Sequence, residues 1–453
     1  MKMKGHRIIK TTMGLIASVI LISCEVVPPT MIPSPSPEPV AITENLPTAT
    51  RVPDTAEPVL TPSPAEITPE PEQATVAAFI ATPQSAAAPH FKNGEKILIT
   101  YIHMVNTAEG WGISGSYILT TSDGGETWHE VTPPEPIPVD SFAPAYGTFY
   151  DEKTAWVIYC NDPSLTSDPF TAGCVTPSDT SVWSTTDGGE TWTASPPLFH
   201  NVNAELTWAE FATVDSTTGW MMIRGVYVGA GTHYVAELFQ TVDGVTWDSL
   251  DGDEGVDYTG MVFADENSGW LTWQTTGDYA AAPPEYAVTD DGGYNWETRD
   301  LPPPDDAPDL FTQYDYCEPY QPNLLSVQSV RLLVACFDYY DPPKEFISYL
   351  YSSDDAGKSW NILPLPEKVN ASGYTLIFFD SENCLLLGRE MYQSSDGGET
   401  WELIKTVNWD GQFSFIDDQN GWAVAENKDL ERALVRTEDG GRIWSKLSPV
   451  VVR

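Results

Sequence analysis

One short pattern recurs seven times between residues 121 and 444: Ser or Thr, then Asp two places on, then Gly, then Thr or a similar residue in all but the last copy, and Trp. Four copies are Thr121-Ser-Asp123-Gly-Gly125-Glu-Thr127-Trp128, Thr185-Thr-Asp187-Gly-Gly189-Glu-Thr191-Trp192, the shorter Thr241-Val-Asp243-Gly-Val-Thr246-Trp247, and Thr289-Asp-Asp291-Gly-Gly293-Tyr-Asn295-Trp296. The others are Ser353-Asp-Asp355-Ala-Gly357-Lys-Ser359-Trp360, Ser394-Ser-Asp396-Gly-Gly398-Glu-Thr400-Trp401 and Thr437-Glu-Asp439-Gly-Gly441-Arg-Ile443-Trp444. An internal repeat constrains the architecture first, because each copy must belong to one supersecondary unit that buries its apolar faces against its neighbours. A weaker mark precedes the copies. Gly110-Trp111, Ala155-Trp156, Gly219-Trp220, Gly269-Trp270 and Gly421-Trp422 each open an apolar run, with Arg331-Leu332 and Cys384-Leu385 in the equivalent places of units five and six. Twelve of the 16 tryptophans therefore mark the repeat.

Each unit reads as four short strands, in the last unit at 413–416, 422–425, 433–436 and 444–447. Asp-Gly-Gly falls between the third and fourth strands. A hairpin turn there needs positive φ and a side chain that satisfies turn amides. No helical periodicity of useful length is present. Residues 91–453 divide into seven units of roughly 50 residues, and a lone four-stranded sheet of that size cannot bury both faces. Stacking around an axis buries them. The chain is therefore predicted to be all-β, a seven-bladed β-propeller of four-stranded antiparallel blades. The box aspartates are expected to bond their own turn amides, and the box tryptophans to pack between blades. One-per-blade repetition is the mark of a structural constraint, whereas a catalytic site draws different residues from different blades.

These boxes resemble the Asp-box, or bacterial neuraminidase repeat, and residues 91–453 as a whole resemble the Asp-box propellers. The paired Gly-Trp and Asp-Gly-Gly marks are closest in flavour to photosystem II stability/assembly factor-like propellers. The resemblance implies a propeller whose box turns lie away from the ligand face. An assembly role of that kind would imply a basic patch, whereas residues 91–453 hold 17 Lys and Arg against 57 Asp and Glu. Sialidases share the repeat, and that likeness implies three arginines clamping a carboxylate, a Tyr–Glu nucleophile pair and an Asp acid/base. The predicted first strand, 96–104, has no Arg, and Arg442 sits inside a box. Arg224, Arg331, Arg389 and Arg432 remain as candidates for a clamp. Convergence of Arg224, Arg331 and Arg389 beside a Tyr–Glu pair would mark such an enzyme. Xyloglucan hydrolases with similar repeats set two propellers across a cleft, and this chain has one.

Charge narrows the partners. The formal net charge is −43, and phosphate recognition needs dense cationic surface, so nucleic acid is excluded as the default partner. Docking onto anionic membrane through basic patches is excluded likewise. Residues 1–23 carry Lys2, Lys4, Arg7 and Lys10 ahead of an apolar stretch at 13–22 that is too short to span a bilayer. The ending Leu21-Ile22-Ser23-Cys24 resembles a bacterial lipobox. That implies lipidation at Cys24 and anchoring to the bacterial cell membrane, with the propeller outside the cytoplasm. Residues 24–90 hold 15 of the 38 prolines and read as a disordered tether. Residues 91–453 alone carry −40. His103, His129, His200 and His233 show no metal-ligand spacing. No cofactor is expected, with weak Ca2+ binding at Asp251-Gly-Asp253-Glu254 as the one alternative.

The better functional signal lies in insertions. Box turns and the loops joining strands one and two share one face of a propeller. Loops joining strands two and three share the other with the blade-to-blade links. Insertions at 161–180, 275–285, 302–322 and 338–345 all belong to this second face. The candidate binding residues there are Tyr279, Tyr286, Phe311, Tyr314, Tyr316, Tyr320, Tyr339 and Tyr340, among Asp305, Asp306, Asp309, Asp315, Asp338 and Asp341. Two readings stand: a tyrosine-lined surface for protein or glycan, or aromatic staples that hold long loops on the blades. The same topology predicts disulfides Cys160–Cys174 and Cys317–Cys336, with Cys384 free. The functional expectation is a monomeric cell-surface lipoprotein whose propeller is a non-catalytic binding or assembly-scaffold module for protein or glycan. A sialidase-like glycoside hydrolase is the alternative.

Overall fold

The computed structural model describes residues 81–134, 145–159, 174–175, 180–198, 204–227, 234–250, 257–274, 283–314, 316–337, 346–367 and 369–453, with backbone alone at 174–175, 204–207, 224–227, 234–235, 257 and 274. Seven antiparallel sheets follow one another along the chain, each built on four strands in sequence order. Blade 1 comprises Tyr101–Met104, Gly110–Ser114, Tyr117–Thr121 and Thr127–Glu130, and blade 2 comprises Ala145–Phe149, Ala155–Tyr159, Val182–Thr185 and Thr191–Ala194. Blade 3 is Ala204–Thr213, Gly219–Tyr227, Tyr234–Thr241 and Asp248–Leu250, and blade 4 is Asp257–Phe263, Gly269–Gln274, Glu285–Thr289 and Glu297–Asp300. In blade 5 the first strand is split into Tyr316–Pro319 and Asn323–Leu324, followed by Val330–Phe337, Ile347–Ser353 and Asn361–Leu363. Blade 6 is Thr375–Phe378, Cys384–Leu387, Glu390–Ser394 and Glu402–Thr406, and blade 7 is Trp409–Phe415, Gly421–Asn427, Arg432–Thr437 and Ser445–Lys446. The predicted seven-bladed propeller is the observed fold.

The core lies between blades. Trp156, Ile158 and Val182 of blade 2 form one buried cluster with Met221, Phe239 and Trp247 of blade 3. Trp128 of blade 1 packs in the same way with Trp422, Val424 and Leu434 of blade 7. The Gly of each Gly-Trp pair has a packing reason. A Cβ at Gly269 would lie 2.4 Å from the Phe263 ring, and one at Gly421 would lie 2.4 Å from Phe415. At Gly269 and Gly421 the glycine lets the ring that ends strand one fold over the start of strand two, while at Gly110 and Gly219 it makes room for Met104 and for Trp156 of the preceding blade. The ring of blades closes where Gln412 and Ser414 of blade 7 accept hydrogen bonds from the amides of Ile102 and Met104.

Both ends of the folded region add a strand to a blade. Val450–Val451 pairs in parallel with Thr127–Trp128 at the outer edge of blade 1. Gln84–Ser85 pairs antiparallel with Thr191–Trp192 at the outer edge of blade 2. The expected tether boundary at residue 90 is thus corrected. Ala87 N–H donates to Thr132 O, and the His90 ring stacks on Tyr117 at 4.4 Å, so residues 84–90 belong to the fold.

Candidate functional site

The box turns are closed hydrogen-bond systems. In the fifth box, Asp355 Oδ1 accepts the Ser359 amide at 2.9 Å while Oδ2 accepts the Ser359 hydroxyl at 2.7 Å. Ser353 donates its hydroxyl to Asp355 Oδ1 and accepts the Gly357 amide, both at 2.9 Å. The Ser359 hydroxyl, then its amide, hold the Asp355 carboxyl down at about 2. Asp291 and Asp396 are held below the ordinary value by the side chains of Asn295 and Thr400. At Asp123, Asp187, Asp243 and Asp439 partial burial pushes upward and is outweighed by the same kinds of hydrogen bond. The glycines sit at positive φ, as at Gly124 and Gly125, and in the fifth box Ala356 occupies that region with φ 59°.

A second repeated turn escaped the sequence reading. Asn106, Asp151, Asp215, Asp265, Asp380 and Asp417 each accept the amides two and three residues on, between strands one and two. Ser326 takes the same place in blade 5. The signal was present as an Asp or Asn four residues before the Gly, Ala or, in blade 6, Cys384 that opens strand two. The two turns of a blade are tied together, since Gly124 N–H donates to Ala108 O at 2.8 Å and Gly440 N–H to Gln419 O at 2.9 Å. Three of the Gly-Trp indoles then tie a blade to the next. Trp111 Nε1 donates to Asp151 O, Trp220 Nε1 to Gly292 O and Trp422 Nε1 to Gly124 O, at 2.7–2.8 Å. The box tryptophans do pack between blades, fully buried at Trp128 and Trp192, and half-buried at Trp296, Trp360, Trp401 and Trp444. Tyr286 belongs to this framework and not to a binding rim, which corrects the sequence expectation. It is buried, donates its hydroxyl to Gly357 O at 2.7 Å and accepts Trp360 Nε1.

Of the clamp candidates, Arg331 and Arg389 lie at opposite ends of their blades and do not converge. Arg331 is the second residue of the second strand of blade 5, at the box end, is 8% exposed, and bonds Ser353 O and Asp354. Arg389 lies in the turn between strands two and three of blade 6, at the opposite end, where it forms a two-pronged pair with Asp410 at 2.6–2.9 Å. Arg432 pairs with Glu426 beside the equivalent turn of blade 7. Arg224 is described by backbone alone, near the end of its strand.

On the insertion face, the described aromatics act as staples. Phe311 sits in the short helix Leu310–Gln313 and is buried between blades 4 and 5, so it too leaves the proposed binding rim. Tyr314 is half-buried against the same cluster, and Tyr316 stacks on Phe337 with centroids 5.9 Å apart. Tyr320 packs on the blade 5–6 cluster, and burial followed by the nearby Glu318 carboxylate raises its hydroxyl pKa. Cys317 and Cys336 face each other across strands one and two of blade 5 and form a disulfide. Cys384 is free and buried, its thiol pushed up to about 12 by burial. Cys24, Cys160, Tyr279, Tyr339, Tyr340 and the calcium candidate at 251–254 lie outside the described residues, as does the Cys174 side chain.

Among the described residues, three hollows beside blade 5 are open to a ligand. One of about 340 Å³ lies on the box face between blades 4 and 5, lined by Trp270, Asn295, Glu297, Arg299 and Ala356. Two more, of about 570 and 330 Å³, follow the outer flank of blade 5 and share Asp306, Ile362, Leu363 and Pro364. Among the described residues no group of three or more His, Cys, Asp or Glu is placed to hold a metal ion.

No family model matches this chain, and no curated protein does. Solved structures do. "YCF48 bound to D1 peptide" is 15% identical and covers 78% of this chain and 99% of its own, with a TM-score of 0.46. YCF48 from Cyanidioschyzon merolae is 13% identical over 79% of this chain and 98% of its own, with a TM-score of 0.44. A Mycobacterium tuberculosis puromycin-hydrolyzing peptidase is 12% identical over 80% of this chain and 56% of its own, with a TM-score of 0.47. The blade count of the present chain rests on its own seven sheets.

Proposed function

We propose that this chain is an exported lipoprotein, anchored through Cys24, whose propeller is a non-catalytic binding or scaffold module for an extracellular protein or glycan. The observation that carries the reading is the separation of the arginines. Arg331 is held at the box end of blade 5 and Arg389 at the opposite end of blade 6, each by its own carboxylate. A carboxylate clamp needs such groups within one pocket, pre-aligned on the substrate. The domain charge of −40 further disfavours an anionic sugar. The acidic insertion face, with Asp305, Asp306 and Asp309 exposed, favours a cationic or neutral partner.

A pull-down from the native envelope, paired with a glycan array, tests the reading. Retention of a defined protein or glycan, together with no release of product from a fluorogenic sialoside, is the expected result. Turnover of the sialoside, lost in Arg331→Ala and in Arg389→Ala, would replace it with the hydrolase. Labelling with radioactive palmitate, abolished in Cys24→Ala, tests the anchor.

A further inference from the structure

We propose that the outer edge of blade 5 receives an extended, basic segment of another protein, which adds as a further strand to Asn361–Leu363. The inference rests on the propeller being a binding module and names its partner's chemistry. It begins from a comparison of the seven outer edges. Two are already extended by short strands of this chain, Val450–Val451 on blade 1 and Gln84–Ser85 on blade 2. An outer edge in this fold thus accepts an added strand in either direction, over two residue pairs. Four others carry charge: Asp248 in blade 3; Glu297, Arg299 and Asp300 in blade 4; Glu402 and Lys405 in blade 6; Lys446 in blade 7. Charged side chains on an edge strand oppose addition of a further strand. The blade 5 edge, Asn361-Ile362-Leu363, has none.

That edge is also open and roomy. No backbone hydrogen bond reaches Asn361–Leu363 from its outer side among the described residues. Ile362 is 36% exposed and Phe346 52% exposed. The two flanking hollows run beside the strand, bounded by Pro302–Pro304 on one side and Pro364–Pro366 on the other. A strand laid there would satisfy the edge through main-chain hydrogen bonds and place alternate side chains over Ile362 and Phe346.

Charge selects the occupant. The two hollows are lined by the carboxylates of Asp305, Asp306 and Glu367 and, among the described residues, by no Lys or Arg. The chain's own residues 25–80 carry eight acids and a single Arg51, and a second copy carries −43, so like charge opposes both. A segment alternating apolar residues with Lys or Arg fits both the apolar edge and the acidic border.

The test is fluorescence anisotropy of a labelled octapeptide of alternating Lys and Val against the full chain. Ile362→Lys is expected to weaken binding by about tenfold or more, because it charges this edge as the other four are charged. Asp305→Asn with Asp306→Asn, both exposed positions, is expected to weaken it severalfold and to reduce its salt dependence. A peptide methylated on alternate backbone nitrogens is expected not to bind. Unchanged melting temperatures of the variants keep these losses from being read as misfolding. No binding to the wild-type chain, equal binding to Ile362→Lys, or equal binding of the methylated peptide would each overturn the site. If an envelope protein is still captured in any of these cases, the binding-module reading stands and the edge site alone falls.

Discussion

The two faces of this propeller are built by different rules. On the box face, seven Asp-containing turns recur with nearly the same bonds, and the turns between strands one and two are locked to them. On the insertion face the described residues show no turn repeated from blade to blade. There the disulfide, the helix Leu310–Gln313 and the Tyr316–Phe337 stack are each used once. Repetition reports what every blade needs, and single occurrences are where a specific partner can be recognised.

That contrast can be broken by substitution. Trp128→Ala, at a fully buried box position, is expected to destabilise the fold by about 3–5 kcal/mol. Trp401→Ala, half-buried, should cost less; equal losses in urea melts would show that burial is not what grades the boxes. On the insertion face, Cys317→Ala with Cys336→Ala is expected to cost about 2–4 kcal/mol, and the same melts with and without reductant check it. Acid should act first on the box face. Carboxyls whose folded pKa is depressed contribute stability that is complete above their unfolded value near 4 and lost as pH falls toward the folded one, about 2 for Asp355. The melting temperature should therefore drop between about pH 4 and 2, and Asp355→Asn should flatten part of that drop. The smallest effect is expected from Ala356→Gly. Relief of a left-handed alanine is partly offset by the greater freedom of the unfolded chain, leaving a gain of at most about 1 kcal/mol, visible as a slightly higher urea midpoint.

What was legible in the sequence follows the same division. Blade number, the box turns and the role of the box tryptophans could be read because Asp, Gly and Trp return at fixed offsets. The Asp151-type turns carried a comparable signal, obscured because Asn106 and Ser326 replace Asp in two blades. The added strands at 84–85 and 450–451 were not legible, since a two-residue pairing is specified by the backbone it meets and not by a side-chain period. Phe311 and Tyr286 were misplaced for a related reason. An aromatic in an insertion or beside it has the same composition whether it faces solvent or the next blade, and only packing decides.

The parallel strand Val450–Val451 has one more consequence, for the order in which the molecule can be completed. Blade 1 leaves the ribosome first, yet its outer edge and the segment around Lys96 find their partners only when the last residues emerge. The ring closure at Ile102 and Gln412 waits likewise, joining residues 310 apart in sequence. Contacts of such separation are the slowest to form. The earliest blade to be synthesised is thus the last to be finished, and until then it presents an open edge that the remaining blades cannot cover.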